Sequence, residues 1–320
     1  MHQLVNLIYL MERLILFPMT TNQLLFSFRN RILGTQEQTT LGWTQEIEYL
    51  YKRGVGIDEV LHYLYNEKPT IEAFESWVSE KETKLVQLIS QETDVFGKDD
   101  LQFFETNGYI ILPNAIPKAD CLATQQIIWE FLGMHPEKSE TWYQNHPEQR
   151  GMMLNFFDHP LLEKNRASGK IRKAFEQLYQ SEAIYKTIDK VSFNPPVTPN
   201  YSFKGSDLHW DVSLQLPIPF RLQGLIYLSD CGPKDGAFYC VPGFHNQITA
   251  WMQQVPEDVH PRAHALATLK PQPITASAGD MVIWHQALPH CATPNYGTSP
   301  RMVQYLSYIS ETYEEAKEWI

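Results

Sequence analysis

Apolar and polar residues follow two different periods along this chain, and the change between them divides the sequence into two parts. Up to about residue 95, apolar residues recur every three or four positions, as at Phe74, Trp77 and Val78. This spacing predicts amphipathic α-helices. In the second half, short apolar runs are separated by turn residues, which predicts β-strands. We therefore expect a helical N-terminal extension over residues 1–95 and a second domain over residues 96–320.

The second domain is predicted to begin with helices and to continue as a sheet structure. A helix ending at Gly108 leads into a short strand, and a second helix runs from Pro117 to about Gly133, with proline first and glycine last, as expected for helix ends. Strands are predicted at residues 191–194, 209–211, 222–228, 237–241, 274–276, 281–285 and 301–309. Strands of this length and spacing favour an antiparallel sandwich or barrel. The fold class is α+β, with helices first and a jelly roll after them.

Composition narrows the possible partners. The chain has 320 residues, 43% of them apolar, and a formal net charge of −11. Nucleic acids and anionic membranes both favour a basic surface, so neither is expected as the main partner. A small-molecule substrate fits this charge better.

Cysteine usage and the N-terminal segment indicate the compartment. The apolar stretches Leu4–Leu10 and Leu14–Phe17 are separated by Glu12 and Arg13, and they are too short and too charged to span a bilayer. The four cysteines lack paired spacing, which predicts neither a zinc knuckle nor a disulfide framework; they are Cys121, Cys231, Cys240 and Cys291. We predict a cytoplasmic protein.

The most informative stretch is His209-Trp210-Asp211. In an extended segment, residues two positions apart point to the same face, so His209 and Asp211 could bind one metal ion. A further histidine would complete the two-histidine, one-carboxylate set that leaves open positions on a non-haem Fe(II). Trp210, between these two residues, would point away from the metal and contribute to packing.

Two later histidines, His285 and His290, compete for the third ligand position. A hairpin folded about Asn295-Tyr296 would bring His290 opposite a residue near Arg301, whereas His285 would face roughly Leu306. Arg301 is unusual as a charged residue that starts an apolar strand, and its planar guanidinium matches a carboxylate with two hydrogen bonds. This geometry favours His290 as the metal ligand and Arg301 as the partner of a keto-acid carboxylate.

The segment from about residue 100 to residue 310 resembles the phytanoyl-CoA dioxygenase family of Fe(II)/2-oxoglutarate-dependent oxygenases. The motifs that carry the resemblance occur in order along the chain: Phe104–Tyr109, His209–Asp211, Tyr227–Asp230, Asp235–Ala237, Val241–His245, Gly279-Asp280, His290 and Arg301. One departure is Phe244, where a serine usually precedes the histidine of the proline-glycine loop. The helical extension lies outside the resemblance.

The resemblance implies a fold, a cofactor set and site residues. The fold would be a double-stranded β-helix, of the jelly-roll or cupin-like type, with flanking helices. Fe(II) would be held by His209, Asp211 and His290, and Arg301 would pair with the distal carboxylate of 2-oxoglutarate. Asn194 matches a position that touches the cosubstrate in some relatives.

The reaction expected from this resemblance is hydroxylation of an unactivated C–H group, with O2 consumed and succinate and CO2 released. Halogenating relatives have a small residue in place of the carboxylate at Asp211, so halogenation is disfavoured, while desaturation and ring formation remain open. A free amino acid or a natural-product intermediate is the favoured substrate. Lys204, Arg221 and Arg150 are candidate cations for a substrate carboxylate. A homodimer through the N-terminal helices is a further possibility.

Two other functional classes are compatible with the same residues. A cupin-type metal-binding protein would use the histidines without 2-oxoglutarate, and Arg301 would then be replaceable without loss. A non-catalytic interaction module would normally have lost a ligand, and every expected ligand is present.

Overall fold

The computed structural model describes residues 21–35, 42–89 and 93–320. The chain divides into two compact units, Met1–Gln87 and Leu88–Ile320. The apolar stretches between residues 4 and 17 lie outside the described residues. The boundary predicted after residue 95, and a homodimer through the N-terminal helices, stay predictions.

The first unit is helical, as the three-to-four-residue spacing predicts. Its helices are α1 (Thr21–Leu33), α2 (Trp43–Lys52), α3 (Ile57–Glu67) and α4 (Ile71–Ile89). Their apolar faces meet in one cluster around Phe28, Leu50, Leu64 and Phe74, each fully buried. Thr70 caps the start of α4 by accepting a hydrogen bond from the Ala73 N–H at 3.3 Å.

No helix among the described residues is both long enough and apolar enough to cross a membrane.

The second unit alternates helices with short strands. Its helices are α5 (Lys98–Asn107), α6 (Lys118–Leu132), α7 (Pro160–Arg166), α8 (Gly169–Tyr179), α9 (Ile248–Met252) and α10 (Pro261–Thr268). Its strands are β1 (Tyr109–Leu112), β2 (Gln149–Arg150), β3 (Met153–Leu154), β4 (Ile184–Lys186), β5 (Val191–Asn194), β6 (Leu222–Tyr227), β7 (Phe238–Cys240), β8 (Gln272–Ile274), β9 (Met281–His285), β10 (His290–Ala292), β11 (Arg301–Tyr305) and β12 (Tyr308–Ser310). The unit is thus a mixed α and antiparallel β structure, in agreement with the α+β prediction.

The strands form a large and a small antiparallel sheet. The large sheet has the order β1-β9-β6-β11-β5-β3-β2, the small sheet has the order β10-β7-β8, and β12 pairs with β4 separately. Helices α6, α7 and α8 contribute to the apolar cluster on one face of the large sheet, and the small sheet contributes to the cluster on the other face.

Strand β9 shows why the central strands are apolar without alternation. Met281 and Ile283 pack in the cluster that contains the helices, while Val282 and Trp284 pack in the cluster shared with the small sheet. A strand buried on both faces needs apolar residues at successive positions. The run Met281–Trp284 therefore lies between the two apolar clusters of the second unit.

The hairpin predicted about Asn295-Tyr296 is wrong. Strand β10 pairs with β7 in the small sheet, with His290 opposite Cys240, while β11 pairs with β5 and β6 in the large sheet, with Arg301 opposite Asn194. The segment between β10 and β11 therefore crosses from one sheet to the other. His285 lies opposite Leu222 rather than Leu306.

Candidate functional site

Three side chains from distant parts of the chain converge between the two sheets. The potential ligand atoms of His209, Asp211 and His290 all lie within 4.8 Å of one another. His209 Nε2 is 3.4 Å from Asp211 Oδ1, and His290 Nε2 is 3.2 Å from Asp211 Oδ2. The structure thus brings His290, and not His285, to the His209–Asp211 pair.

The segment that carries His209 and Asp211 is not the regular strand predicted. His209 forms a single bridge with His290, through backbone hydrogen bonds of 3.0 and 2.9 Å in the two directions, and the chain bends at Asp211. Trp210 between them is 2% exposed, and its indole N–H donates to the Ala287 carbonyl. Burial of the indole on one side directs the two flanking polar side chains to the other.

Both histidines are oriented by backbone carbonyls. His209 Nδ1 lies 2.7 Å from the Asp207 carbonyl oxygen, and His290 Nδ1 lies 3.1 Å from that of Leu288. A carbonyl oxygen can only accept, so each Nδ1 carries the proton and donates it. In neutral imidazoles this leaves the Nε2 lone pairs directed at the common centre, the arrangement usual for metal-binding histidines.

Asp211 is held as a carboxylate by its neighbours. Gln223 Nε2 donates to Asp211 Oδ2 at 2.8 Å, and the Trp284 indole N–H donates to Gln223 Oε1 at 3.1 Å. Burial raises the pKa of Asp211, but without a metal ion the hydrogen bonds that Gln223, and His209 and His290 when protonated at Nε2, donate to the carboxylate lower it by more, so that the net pKa is well below the ordinary value. The group is thus ionised and fixed in position.

The three side chains open into a cavity of about 260 Å³, which Arg301 also lines. Arg301 is 1% exposed, and none of its three guanidinium nitrogens has a hydrogen-bond partner among the residues described. The guanidinium carbon lies 5.7 Å from the centroid of the Tyr227 ring. Arginine remains charged at neutral pH, and a buried charge without a partner is costly. This cation is therefore available to an anionic ligand in the cavity.

The remaining predicted residues lie outside this cavity. Asn194 is directly opposite Arg301 in the strand pair, but its amide nitrogen donates to the Thr293 carbonyl at 3.1 Å. Its contact with a cosubstrate stays a prediction. His285 follows Trp284 on β9 and points to the other face of the sheet, where its ring lies 5.2 Å from that of His245.

Comparison with known proteins decides the family. The family model described as phytanoyl-CoA dioxygenase matches residues 104–303, more than half of the chain. The chain belongs to the phytanoyl-CoA dioxygenase family. A Dictyostelium discoideum protein named provisionally as a phytanoyl-CoA dioxygenase is 23% identical over 255 residues, covering 64% of this chain and 73% of its own length.

Solved structures show the same fold at low sequence identity. AviO1 from Streptomyces viridochromogenes Tue57 is 19% identical, with a TM-score of 0.52, 70% of this chain covered and 100% of its own. SnoN, a non-haem α-ketoglutarate-dependent epimerase from nogalamycin biosynthesis, is 15% identical, with a TM-score of 0.50, 67% of this chain covered and 82% of its own. As a member of the phytanoyl-CoA dioxygenase family, this protein is a 2-oxoglutarate-dependent non-haem iron enzyme that uses Fe(II), 2-oxoglutarate and O2 and acts on a small molecule.

The residues at the centre of this family member fit that cofactor set. Two imidazole nitrogens and one carboxylate are suited to Fe(II) with open positions, because each histidine presents its unprotonated nitrogen to the centre. The buried, unpartnered guanidinium of Arg301 is suited to a carboxylate of 2-oxoglutarate. Both features face one cavity.

Sequence reasoning missed two groups that position Asp211. Gln223 gave a weak signal, as a polar residue within the apolar run of β6. Arg262 on α10 gave none: its guanidinium donates at 2.8 Å to the carbonyls of Trp210 and Val212, on either side of Asp211. That contact depends on how α10 packs, which no local pattern predicts.

Loss of the Gln223 side chain is expected to weaken metal binding. In Gln223→Leu, Asp211 loses a hydrogen bond and the Trp284 indole loses its acceptor, so the affinity for Fe(II) should fall by about 10- to 100-fold. Gln177→Leu is the matched control, because the Gln177 side chain forms hydrogen bonds with the Val95 and Phe96 backbone and does not line the cavity. Metal titration of both variants checks this; equal affinities in Gln223→Leu and the wild type would contradict a role in orienting Asp211.

His285 is expected to make the protein less stable as the pH falls. Burial and the neighbouring His245 lower the pKa of His285 from 6.5 to about 3, so below pH 6.5 the unfolded chain binds a proton that the folded protein does not. Between pH 7 and pH 5 this costs about 2 kcal/mol of unfolding free energy. Denaturant unfolding of His285→Asn should show a pH dependence smaller by that amount; an unchanged slope would contradict it.

Proposed function

We propose that this enzyme hydroxylates an unactivated C–H group of a small molecule, with a free amino acid or a natural-product intermediate as the favoured substrate. The observation that carries the proposal is the meeting of two features in one cavity: a His-Asp-His group with converging ligand atoms, and a buried arginine without a partner. His209, Asp211 and His290 would hold Fe(II). Arg301 would bind the distal carboxylate of 2-oxoglutarate.

We also propose that the two facing sheets form a double-stranded β-helix. The likeness in fold to AviO1 and SnoN supports this assignment. The helices on the outer face of the large sheet and the small sheet on its inner face are consistent with a jelly roll flanked by helices. The C-terminal domain would then be the dioxygenase domain.

Each residue of the site has a separate task in this proposal. Iron, when bound, would activate O2 as the oxidant, and 2-oxoglutarate would be oxidised to the coproducts succinate and CO2. Asp211 contributes the negative charge of the ligand set, and Gln223 and Arg262 fix its position. Arg301 orients the cosubstrate by its far end, while Phe238 and Trp284 give the cavity apolar walls that exclude water.

Asp211 also bears on the reaction type. A carboxylate that accepts a hydrogen bond from Gln223 would occupy the position that halogenating relatives leave for chloride. Hydroxylation is therefore favoured over halogenation.

The test is aerobic turnover of 2-oxoglutarate by the purified full chain with Fe(II). We expect slow release of succinate, accelerated by the substrate with one hydroxyl group formed per succinate. Asp211→Ala is expected to lose turnover, and Asp211→Gly with added chloride tests the halogenation alternative. No succinate from the wild type with any substrate tried, although iron is bound, would contradict the proposal.

A further inference from the structure

One carboxylate in the cavity has no task in the proposed chemistry. Asp189, in the connection between β4 and β5, lines the same cavity as His209, Asp211 and Arg301. Its Oδ1 accepts a hydrogen bond from the backbone N–H of Lys190 at 2.7 Å. Within the described part of the chain, no group donates a hydrogen bond to Oδ2. One carboxylate oxygen of Asp189 is therefore available to a ligand.

Among the residues that the structure describes, no ion pair links the Asp189 carboxylate to a neighbouring cation. The guanidinium of Arg166 donates to the main-chain carbonyl of Asp189 at 3.0 Å and to that of Phe157 at 2.8 Å, and it lies 3.5 Å from Glu163 Oε2. Lys190 is exposed. Burial is the largest influence on Asp189 and raises its pKa above the ordinary value, although the nearby charges of Lys190 and Arg166 offset part of this rise. A charged Asp189 is thus destabilised until a partner arrives.

The charges expected once Fe(II) and 2-oxoglutarate are bound indicate that the partner of Asp189 is a cation. Fe(II) and Arg301 carry positive charges that Asp211 and the two carboxylates of 2-oxoglutarate balance. Asp189 then adds one negative charge to a partly enclosed cavity. An unbalanced charge in such surroundings is unfavourable, and a ligand with one positive charge removes the imbalance.

We propose that Asp189 binds the substrate through a cationic nitrogen, and that the substrate is a small amine with an apolar body. This inference rests on the function proposed above. The apolar part of the substrate would contact apolar side chains that line the same cavity, among them Met152, Met153, Phe238, Trp284 and Ala292.

Anionic substrates fit this cavity poorly. Apart from Arg301 and the two metal-site histidines, no cationic side chain is among the residues that line the cavity in the described part of the chain. Lys204, Arg221 and Arg150, the cations predicted from the sequence for a substrate carboxylate, do not line it. A free amino acid would satisfy Asp189 but leave its own carboxylate unpaired, so an amine-bearing intermediate is favoured over a free amino acid.

The test compares three probes that differ only in their charged or polar group: cyclohexylmethylamine, cyclohexylmethanol and cyclohexanecarboxylate. Binding to the full chain loaded with Fe(II) and 2-oxoglutarate is measured without oxygen, by calorimetry and by the change in the iron–2-oxoglutarate absorption band. We expect the amine to bind at least tenfold more tightly than the alcohol or the carboxylate. Asp189→Asn should remove this preference, Asp189→Glu should keep it, and Asp189→Lys should transfer it to the carboxylate.

The control is Asp258→Asn, which removes the same charge from an exposed position outside the cavity and should keep the preference for the amine. If the wild type forms the absorption band but binds the three probes equally, or if Asp189→Asn still prefers the amine, the inference is overturned while the proposed function stands. If the wild type forms no band, the proposed function fails and this inference fails with it.

Discussion

Replacing His290 with alanine is expected to abolish the reaction. The histidine is 6% exposed, its Nδ1 is held by the Leu288 carbonyl, and its Nε2 faces Asp211. Loss of a metal ligand weakens metal binding more than loss of a residue that only orients a ligand. The affinity for Fe(II) should therefore fall by more than about 100-fold. Metal titration and turnover of 2-oxoglutarate measure the effect.

His285→Ala is the matched control for His290→Ala. Both changes remove an imidazole from the same part of the chain, but His285 lies on the opposite face of β9, against His245. Fe(II) affinity in His285→Ala should stay within a fewfold of the wild type. If His285→Ala lost the metal and His290→Ala kept it, the assignment of the third ligand would be wrong.

Replacing Arg301 with methionine is expected to weaken 2-oxoglutarate binding without destabilising the protein. The dissociation constant for 2-oxoglutarate should rise at least thirtyfold, because loss of one partner of a buried charge pair costs about 2–5 kcal/mol. Without cosubstrate, the same change should leave stability unchanged or raise it by about 1–4 kcal/mol, since it removes a buried charge that has no partner. Calorimetric titration and denaturant unfolding measure the two quantities.

Arg172→Met gives the opposite pattern and serves as the control for Arg301→Met. Arg172 is also buried, but it is paired with Glu176 at 2.8 Å and donates to the carbonyls of Ile184 and Glu182. Its loss should destabilise the protein by about 3–5 kcal/mol and leave 2-oxoglutarate affinity unchanged. If Arg301→Met destabilised the protein as much as Arg172→Met and bound 2-oxoglutarate normally, Arg301 would be a structural residue.

The local sequence pattern predicted the secondary structure correctly in two situations: where a strand is buried on both faces, and where a glycine ends a helix. Strands β5 and β9 match the predicted ranges, because their apolar runs end at polar or turn residues. Gly108 and Gly133 close α5 and α6 with φ angles of 73° and 63°, a conformation that favours glycine. These features depend on neighbours in sequence, which is why sequence reasoning could find them.

The relations between sheets could not be predicted in this way. The segment around Asn295 has the composition of a hairpin turn, yet β10 and β11 belong to different sheets. His290 and Arg301 face one cavity because the small sheet covers the inner face of the large one. The regular strand expected at His209–Asp211 is likewise replaced by one bridge and a bend, since Trp210 is held in the core by Ala287.

Polar residues inside the cavity were the hardest to predict. Gln223 lies between Leu222 and Gly224, and Asp189 lies between Ile188 and Lys190. Nothing in these neighbours shows whether the side chain faces solvent, core or cavity. The direction is set by the pairing of β6 with β9 and by the connection into β5. Prediction of these positions requires the tertiary structure.

The most direct test of the central claim is an anaerobic optical titration of the apoprotein with Fe(II) and 2-oxoglutarate. A metal-to-ligand charge-transfer band should form in the wild type and in His285→Ala, disappear in His290→Ala, and require a much higher 2-oxoglutarate concentration in Arg301→Met. A wild type that binds metal without forming the band, or an Arg301→Met variant that forms it at the wild-type concentration, would contradict the proposed site and favour a cupin-type metal-binding protein.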